Sequence, residues 1–312
     1  MKKYFKTLDE QIELLKSRNL IIEDEEWAKD KLLNYNFYKV INGTRKYFID
    51  KPGSYNYRDN TSFRQLEKMH EFDKNIKKFF LTSILDIERH LRSIVSYVFM
   101  KHHPEAEAYL NPDNFNSNFS LISANSHTLT KTIENYKEEK NYNKSMEYYT
   151  KKYDHVPFWF LVNFISFGKL VNFYQTMKDK EAYEVANVFT KFMVANIEDS
   201  KGYYITNNQF NSYISAIKDI RNVVAHDNLI LGYKADEDLD MIDPIFKKWN
   251  ITKEDRRDFV FEIYLVMQLF LSRSQFRELT YNLQESVEKL KREIDKKAFD
   301  MVMKDLGFPE DF

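Results

Sequence analysis

Apolar residues recur at the helical period through most of this chain. Within residues 7–18, Leu8, Ile12 and Leu15 share one face, with Asp9 and Glu10 early and Lys16 and Arg18 late, an order that suits the dipole of a short helix. A second helix is expected over residues 25–37, carrying Trp27, Leu32, Leu33 and Tyr35. Gly43, Pro52 and Gly53 among polar residues predict a loop over 41–60 with at most one small hairpin. The longest pattern follows. From 62 to 102, Leu66, Met69, Phe72, Ile76, Phe79, Phe80, Ile84, Ile87, Leu91, Ile94, Val95 and Val98 keep the helical spacing, and Pro104 ends it, so this stretch is read as the spine of the fold.

Asn and Ser make 111–126 a predicted loop, and 127–139 reads as a polar surface helix. Pro157 suits a first helical turn and leads F-W-F-L-V-N-F-I-S-F-G-K-L-V-N-F-Y, apolar on nearly every side and therefore expected to be one central helix. Helices are further expected over 181–194 and 208–224, then a polar acidic linker over 234–243. Two more helices close the chain, over 255–271 and over a charged, solvent-facing 276–299. The expected organisation is an N-terminal helical subdomain with its loop, 1–60, and a helical core with C-terminal helices, 61–312.

Composition narrows this picture. Hydrophobic residues make up 43% and aromatic residues 16%, enough to fill a core, while 6 Gly and 6 Pro leave few turns for a sheet protein, which favours an all-α fold. The absence of cysteine removes disulfides, thiolate nucleophiles and Cys-ligated zinc. The first residues turn acidic before any apolar run develops, and stretches such as 156–162 are too short to span a bilayer, so no membrane association and a cytoplasmic location are expected. With 47 Lys and Arg against 48 Asp and Glu, the net charge is −1, and any nucleic-acid contact must use a local patch.

Chemistry concentrates in 220–228, I-R-N-V-V-A-H-D-N, at the end of an amphipathic helix. Arg221 is a permanent cationic fork suited to phosphate oxygens, and His226 is the side-chain type that exchanges protons near neutral pH. Five residues at about 100° each set these two about 140° apart around an unbroken helix, whereas Asn222 and His226 share a face. The arrangement meets a single phosphate if the helix loosens near Val224, or if two copies of the segment converge. On spacing alone, His226 is equally a helix C-terminal histidine and Arg221 a surface charge. An arginine and a histidine also stand close together at Arg64 and His70, with five residues between them instead of four, and are read as an exposed helical pair. His102 and His103 stand at a helix end, and neither metal-ligand spacing nor a phosphate-cradling glycine motif occurs, so no metal and no cofactor are expected. Phe158, Trp159 and Phe160 have the flat faces that stack on bases, but so dense an apolar run reads first as core.

Arg221, Asn222 and His226 resemble the R-x4-6-H signature of the HEPN superfamily of ribonucleases. Three other segments extend the likeness: T-L-D-E-Q-I-E-L-L-K-S-R-N-L-I-I-E-D-E-E-W-A with L-L-N-Y-N-F-Y-K-V-I-N-G near the start, E-F-D-K-N-I-K-K-F-F-L-T-S-I-L-D-I-E-R-H-L-R over 71–92, and V-P-F-W-F-L-V-N-F-I-S-F-G over 156–168. Together with I-R-N-V-V-A-H they resemble, from about residue 7 to 233, the Abi-like proteins, the AbiD and AbiF group of bacterial abortive-infection factors. The resemblance implies an all-α, HEPN-type helical bundle with an N-terminal helical extension, acting as a toxin-like, metal-independent endoribonuclease in phage defence. It implies that Arg221 and His226 are the catalytic pair, that Asn222 orients substrate or histidine, and that a homodimer forms a composite site on RNA. Glu88 and Arg92 fall in the family's I-E-x-x-x-R stretch, where an ion pair braces the site or touches phosphate, or is an ordinary salt bridge one turn long. Asn228 stands where relatives paired with nucleotidyltransferase antitoxins carry a modified tyrosine, so control through that residue is not expected, and Tyr233 is the nearest alternative. An inhibitory RNA or protein antitoxin is the implied partner. The rival function is a non-catalytic RNA-binding or scaffold protein, which would bind RNA with steep salt dependence and leave it intact.

Overall fold

A single helix of 40 residues, α3 (Phe63–His102), is the longest element, about 60 Å at 1.5 Å per residue. Ser62 and Gln65 form a capping box at its start, and the chain leaves the helix at His103, just before Pro104. The computed structural model describes residues 4–137 and 143–312, and it is all-α: among them, extended segments meet only at the isolated bridges Ile21 with Ser62, Ile49 with Tyr57 and Lys234 with Phe259.

Before α3, α1 (Leu8–Lys16) and α2 (Glu25–Tyr35) pair with each other, and Ile12, Leu15, Ala28 and Leu32 enter the same contiguous core as the spine. A tight turn at Tyr38–Asn42 then lies against α3, and the 41–60 segment carries the small antiparallel bridge at Ile49 and Tyr57, with Tyr47 and Phe48 buried beneath it. After the spine come α4 (Phe119–Lys137), α5 (Lys144–Tyr153), the single turn α6 (Phe158–Leu161), α7 (Phe167–Thr176), α8 (Asp179–Asn196) and α9 (Asn207–Ala225). The short α10 (Asp243–Phe246), the wholly buried α11 (Val260–Met267), α12 (Arg273–Glu293) and α13 (Lys296–Leu306) complete the chain. Helices α6, α8, α9 and α12 pack directly on α3. Among the described residues, no helix is long and apolar enough to cross a membrane.

Several boundaries differ from the sequence reading, each for a local reason. Helix α4 starts at Phe119 and not at 127, because Asn118 caps it through the Leu121 N–H (3.2 Å); it is also no surface helix, since Ile122, Leu129 and Ile133 are buried and it packs on α7. Glu138 and Glu139, the last residues of that expected helix, lie outside the described residues. Helix α5 has no counterpart in the sequence reading; Asn143 caps it through the N–H groups of Ser145 and Met146. The apolar run after Pro157 is two helices, because Ser166 caps a fresh start at Phe167 and Arg92 takes up carbonyls at the break. The 255–271 helix shrinks to Val260–Met267, because residues 257 and 258 pair their carbonyls with the Leu239 and Ala235 N–H groups of the expected linker. The last helix divides at Asp295, which caps α13 and binds Arg58 at 2.8 Å. Nor does α12 face solvent: Leu279, Leu283, Val287 and Leu290 are buried and the helix lies along the spine.

One buried carboxyl makes stability depend on pH. Glu262, in the first turn of α11, accepts the Phe259 N–H at 3.1 Å, and burial pushes its pKa up to about 7. The folded state therefore holds this proton more tightly than the unfolded chain, so stability falls as pH rises between about 4.5 and about 7. The contribution reaches about 3 kcal/mol at most. Glu262→Gln is expected to flatten this pH dependence and to raise the unfolding midpoint at pH 8 while leaving it nearly unchanged at pH 5; urea titrations at both pH values check it.

Candidate functional site

Helix α9 positions the Arg221 segment. Thr206 and Gln209 close its capping box, and Phe210, Tyr213, Ile214, Ile217, Ile220 and Val224 form its buried stripe. Arg221 stands at the margin of this stripe, while Asn222 and His226 lie one turn apart on the exposed side. The helix stays regular through Ala225, the His226 N–H still reaching the Asn222 carbonyl at 3.1 Å, so it does not loosen near Val224. It ends in a Schellman turn: the Asn228 N–H bonds the Val223 carbonyl (2.9 Å), the Asp227 N–H bonds the Val224 carbonyl (3.3 Å), and Asp227 takes the required positive φ of 53°. His226 is thus the capping residue, with an exposed imidazole.

Glu88 joins the spine to this segment. Its side chain is 4% exposed; one carboxylate oxygen accepts Arg221 Nε at 3.1 Å, and the other pairs with Arg92 Nη2 at 3.3 Å. Arg92 in turn donates to the carbonyls of Val162 (3.2 Å) and Ile165 (3.0 Å), which fixes the break between α6 and α7. Three residues singled out from the sequence therefore share one ion-pair network. It contains two guanidiniums and one carboxylate, a local excess of one positive charge. Because Arg221 is held through Nε, its terminal amines keep no hydrogen-bond partner among the described residues, and the side chain is 30% exposed. Such a fork, fixed at its base and open at its tip, suits an incoming oxyanion.

The chain beyond His226 is tied down from below. Asp227 binds Lys39 and Lys77, the latter at 2.6 Å, and Lys77 also binds Asp73 at 2.7 Å. Asp73 is completely buried and accepts the N–H groups of Ile230 (2.9 Å) and Leu231 (3.3 Å). Burial works against ionisation of Asp227, but the bonds from Lys39 and Lys77 outweigh it and hold its carboxyl below the usual range. Burial likewise opposes charge on Lys77, and the neighbouring Asp73 overcomes it, so the amine stays protonated. Gly43 completes the seat, since a Cβ there would stand 2.6 Å from Leu229 Cδ1. The sequence reading passed over Asp73, Lys77 and Lys39. The available signal was an Asp and a Lys one turn apart on a helix face otherwise filled by Met69, Phe72, Ile76 and Phe80.

The remaining sequence candidates lie elsewhere. Asn228 is exposed and bonds through its backbone, and Tyr233 packs against the core, where burial raises its phenol to about 12. Arg64 is exposed against Glu23 and Trp27, but His70 is not the exposed partner that its spacing suggested: it is 5% exposed, its ring tilted at 58° against Tyr35, with neither ring nitrogen hydrogen-bonded. Burial lowers its pKa and keeps the ring neutral. His102 and His103 bind Glu184 and Glu181, each at 2.8 Å. Phe158 is core, Phe160 packs against the core, and Trp159 is half exposed.

An all-helical framework that presents an arginine, an amide and a histidine at one helix end, braced by a buried carboxylate, defines the structural class. Residues 30–231 match the Abi-like protein family, and the chain belongs to it. The matched region opens inside α2 and closes at Leu231, one of the residues held by Asp73, so α10 to α13 follow it. No curated protein and no solved structure matches the chain. Membership suggests a function of the abortive-infection type.

Proposed function

We propose that this Abi-like protein is a metal-independent endoribonuclease of the HEPN type that acts in phage defence, in the cytoplasm, as a homodimer whose N-terminal subdomain, 1–60, flanks a helical core, 61–312. The observation that carries this reading is the Arg221 fork, fixed at Nε by buried Glu88 with its terminal amines open, on the same helix end as exposed Asn222 and His226. The ribose 2′-hydroxyl attacks the adjacent phosphorus; one His226 takes the hydroxyl proton while Arg221 offsets charge on the phosphorane. The bond to the 5′-oxygen then breaks, the leaving oxygen gains a proton, and the products are a 2′,3′-cyclic phosphate and a 5′-hydroxyl. An unbroken α9 sets Arg221 and His226 of one chain about 140° apart, which a twofold pairing of helix ends resolves. Pairing also supplies two histidines, one as base and one as acid. Asn222 orients substrate or imidazole. Arg92 and Glu88 brace Arg221, and Asn228 stands at the rim of the site. An inhibitory RNA or protein antitoxin would restrain such an activity in the cell.

A second reading, a non-catalytic RNA-binding scaffold, draws on the separate facing of Arg221 and His226 within one chain. Expression of wild type and Arg221→Ala in cells separates the two. Growth arrest and RNA fragmentation are expected from the wild type only, with purified wild type cleaving RNA but not DNA in the presence of a chelator. Equal toxicity from both proteins, or cleavage abolished by the chelator, overturns the nuclease reading.

A further inference from the structure

An open groove of about 780 Å³ lies between the second half of α3 and α6. Its lining includes Arg89, Arg92, Tyr97 and Lys101 from α3 and Trp159 from α6. Positions 89, 93, 97 and 101 recur at every fourth residue and so keep to one side of the spine helix. The groove adjoins the network described above, because Arg92 in its wall shares Glu88 with Arg221. Along the helix, Tyr97 stands nine residues beyond Glu88, about 14 Å.

Two features of the lining point to one kind of ligand. Three of the lining residues are cations and none is a carboxylate: the partners of Arg89, Arg92 and Lys101, which are Asp86, Glu88 and Glu184, all lie outside it. The charged groups of the lining itself are thus all cationic, each paired with a carboxylate for which an incoming phosphate would compete. Tyr97 is 68% exposed and Trp159 is 50% exposed, although large aromatic side chains are ordinarily buried. Trp159 is held edge-on by Tyr149 at 5.7 Å, so the indole is oriented as well as accessible. Flat aromatic surfaces spaced among cations in an open groove are the arrangement that stacks unpaired bases while tracking a phosphate backbone. A duplex keeps its bases stacked on one another and offers no face to Tyr97 or Trp159.

We propose that this groove binds single-stranded RNA, stacking bases on Tyr97 and Trp159 and meeting phosphates with Arg89 and Lys101, and that it leads the strand to Arg221. The assignment of RNA over DNA rests on the nuclease reading; the stacking does not. The test uses the full chain carrying His226→Ala, so that binding is measured apart from cleavage, with a fluorescein-labelled 12-nucleotide unstructured RNA followed by anisotropy. Tyr97→Ala and Trp159→Ala are each expected to weaken binding by about 5- to 150-fold. Trp159→Phe, which keeps an aromatic face, retains most of the affinity. Arg89→Gln with Lys101→Gln is expected to reduce the slope of log affinity against log salt by about 1.4. Should the Trp159→Ala protein fail to fold, Tyr97→Ala decides the matter, since that side chain is largely solvent-exposed.

The groove is overturned by Tyr97→Ala and Trp159→Ala proteins that bind as the parent does, by equal affinity for duplex and single strand, or by a parent that binds no RNA. Variants that change only the oligomeric state would make the groove a contact between copies and also overturn it. Loss of binding in the variants, together with intact RNA in wild-type digests, upholds the groove and removes the nuclease. Normal binding in the variants with active cleavage by the wild type does the reverse.

Discussion

Replacing His226 by alanine is expected to slow RNA cleavage by about 10²- to 10⁴-fold, the range for loss of a general acid or base. Its imidazole is exposed at the end of α9, and the hydrogen bond that closes the helix comes from its backbone N–H, which alanine keeps. Folding stability should therefore change by no more than about 1 kcal/mol, the scale of a histidine charge near a helix C terminus. A large kinetic loss with a preserved unfolding midpoint is the signature that separates chemistry from architecture. If two copies of His226 serve as base and acid, the rate against pH is bell-shaped, with both limbs belonging to the pair and not to either ring. Single-turnover cleavage of an end-labelled RNA, read beside a thermal melt, checks both points. A His226→Ala protein that cleaves at the wild-type rate removes the histidine from the reaction.

Asp73→Ala is expected to cost about 3–5 kcal/mol of stability. Asp73 is completely buried, accepts the Ile230 and Leu231 N–H groups, and balances Lys77, whose side chain is 6% exposed. Alanine leaves both N–H groups without their acceptor and leaves Lys77 with Asp227, which is 60% exposed, as its remaining ion-pair partner. Cleavage should fall with stability, because the released segment begins directly after His226. Asp73→Asn keeps an acceptor for the N–H groups but not the charge, so its loss is smaller. Adding Lys77→Met to Asp73→Ala removes the stranded amine and should restore part of the difference, a coupling that denaturant midpoints of the four proteins in the cycle measure. An Asp73→Ala protein as stable as wild type would show that this network does not hold the segment.

Much of the framework was legible because α3 repeats one rule for its whole length: an apolar residue every three or four positions, a cap at Ser62 and a proline after the end. Where the reading went astray, a polar residue did a structural job. Asn118 looked like a loop residue and is a helix cap; Asn143, in a stretch given no element, caps another, and Ser166 sat unnoticed within an apolar run and starts a new helix. Spacing placed Glu88 and Arg92 together, since they are one turn apart, but their junction with Arg221 spans 133 residues, and no local pattern records such a contact. The same holds for Lys39, Asp73 and Lys77 beneath Asp227. His70 illustrates the converse: with Arg64 it fits the loose R-x4-6-H pattern, while burial put it in the core. Trp159 read as core by its neighbours and is half open, because a single helical turn at α6 cannot bury every side.

Since α3 carries Asp73 and Lys77, Glu88 and Arg92, and the groove residues Tyr97 and Lys101 on one uninterrupted rod, the separations between these stations are set by residue count alone. An insertion of one residue between Lys77 and Glu88 would swing everything downstream by about 100°, carrying Glu88 away from α9. Seven residues would restore the direction but displace it by about 10 Å. No insertion length corrects both at once. The interval from Asp73 to Arg92 is consequently a gauge of fixed length, intolerant of indels at positions whose individual side chains tolerate exchange, whereas the helix can lengthen beyond Lys101 without disturbing any station.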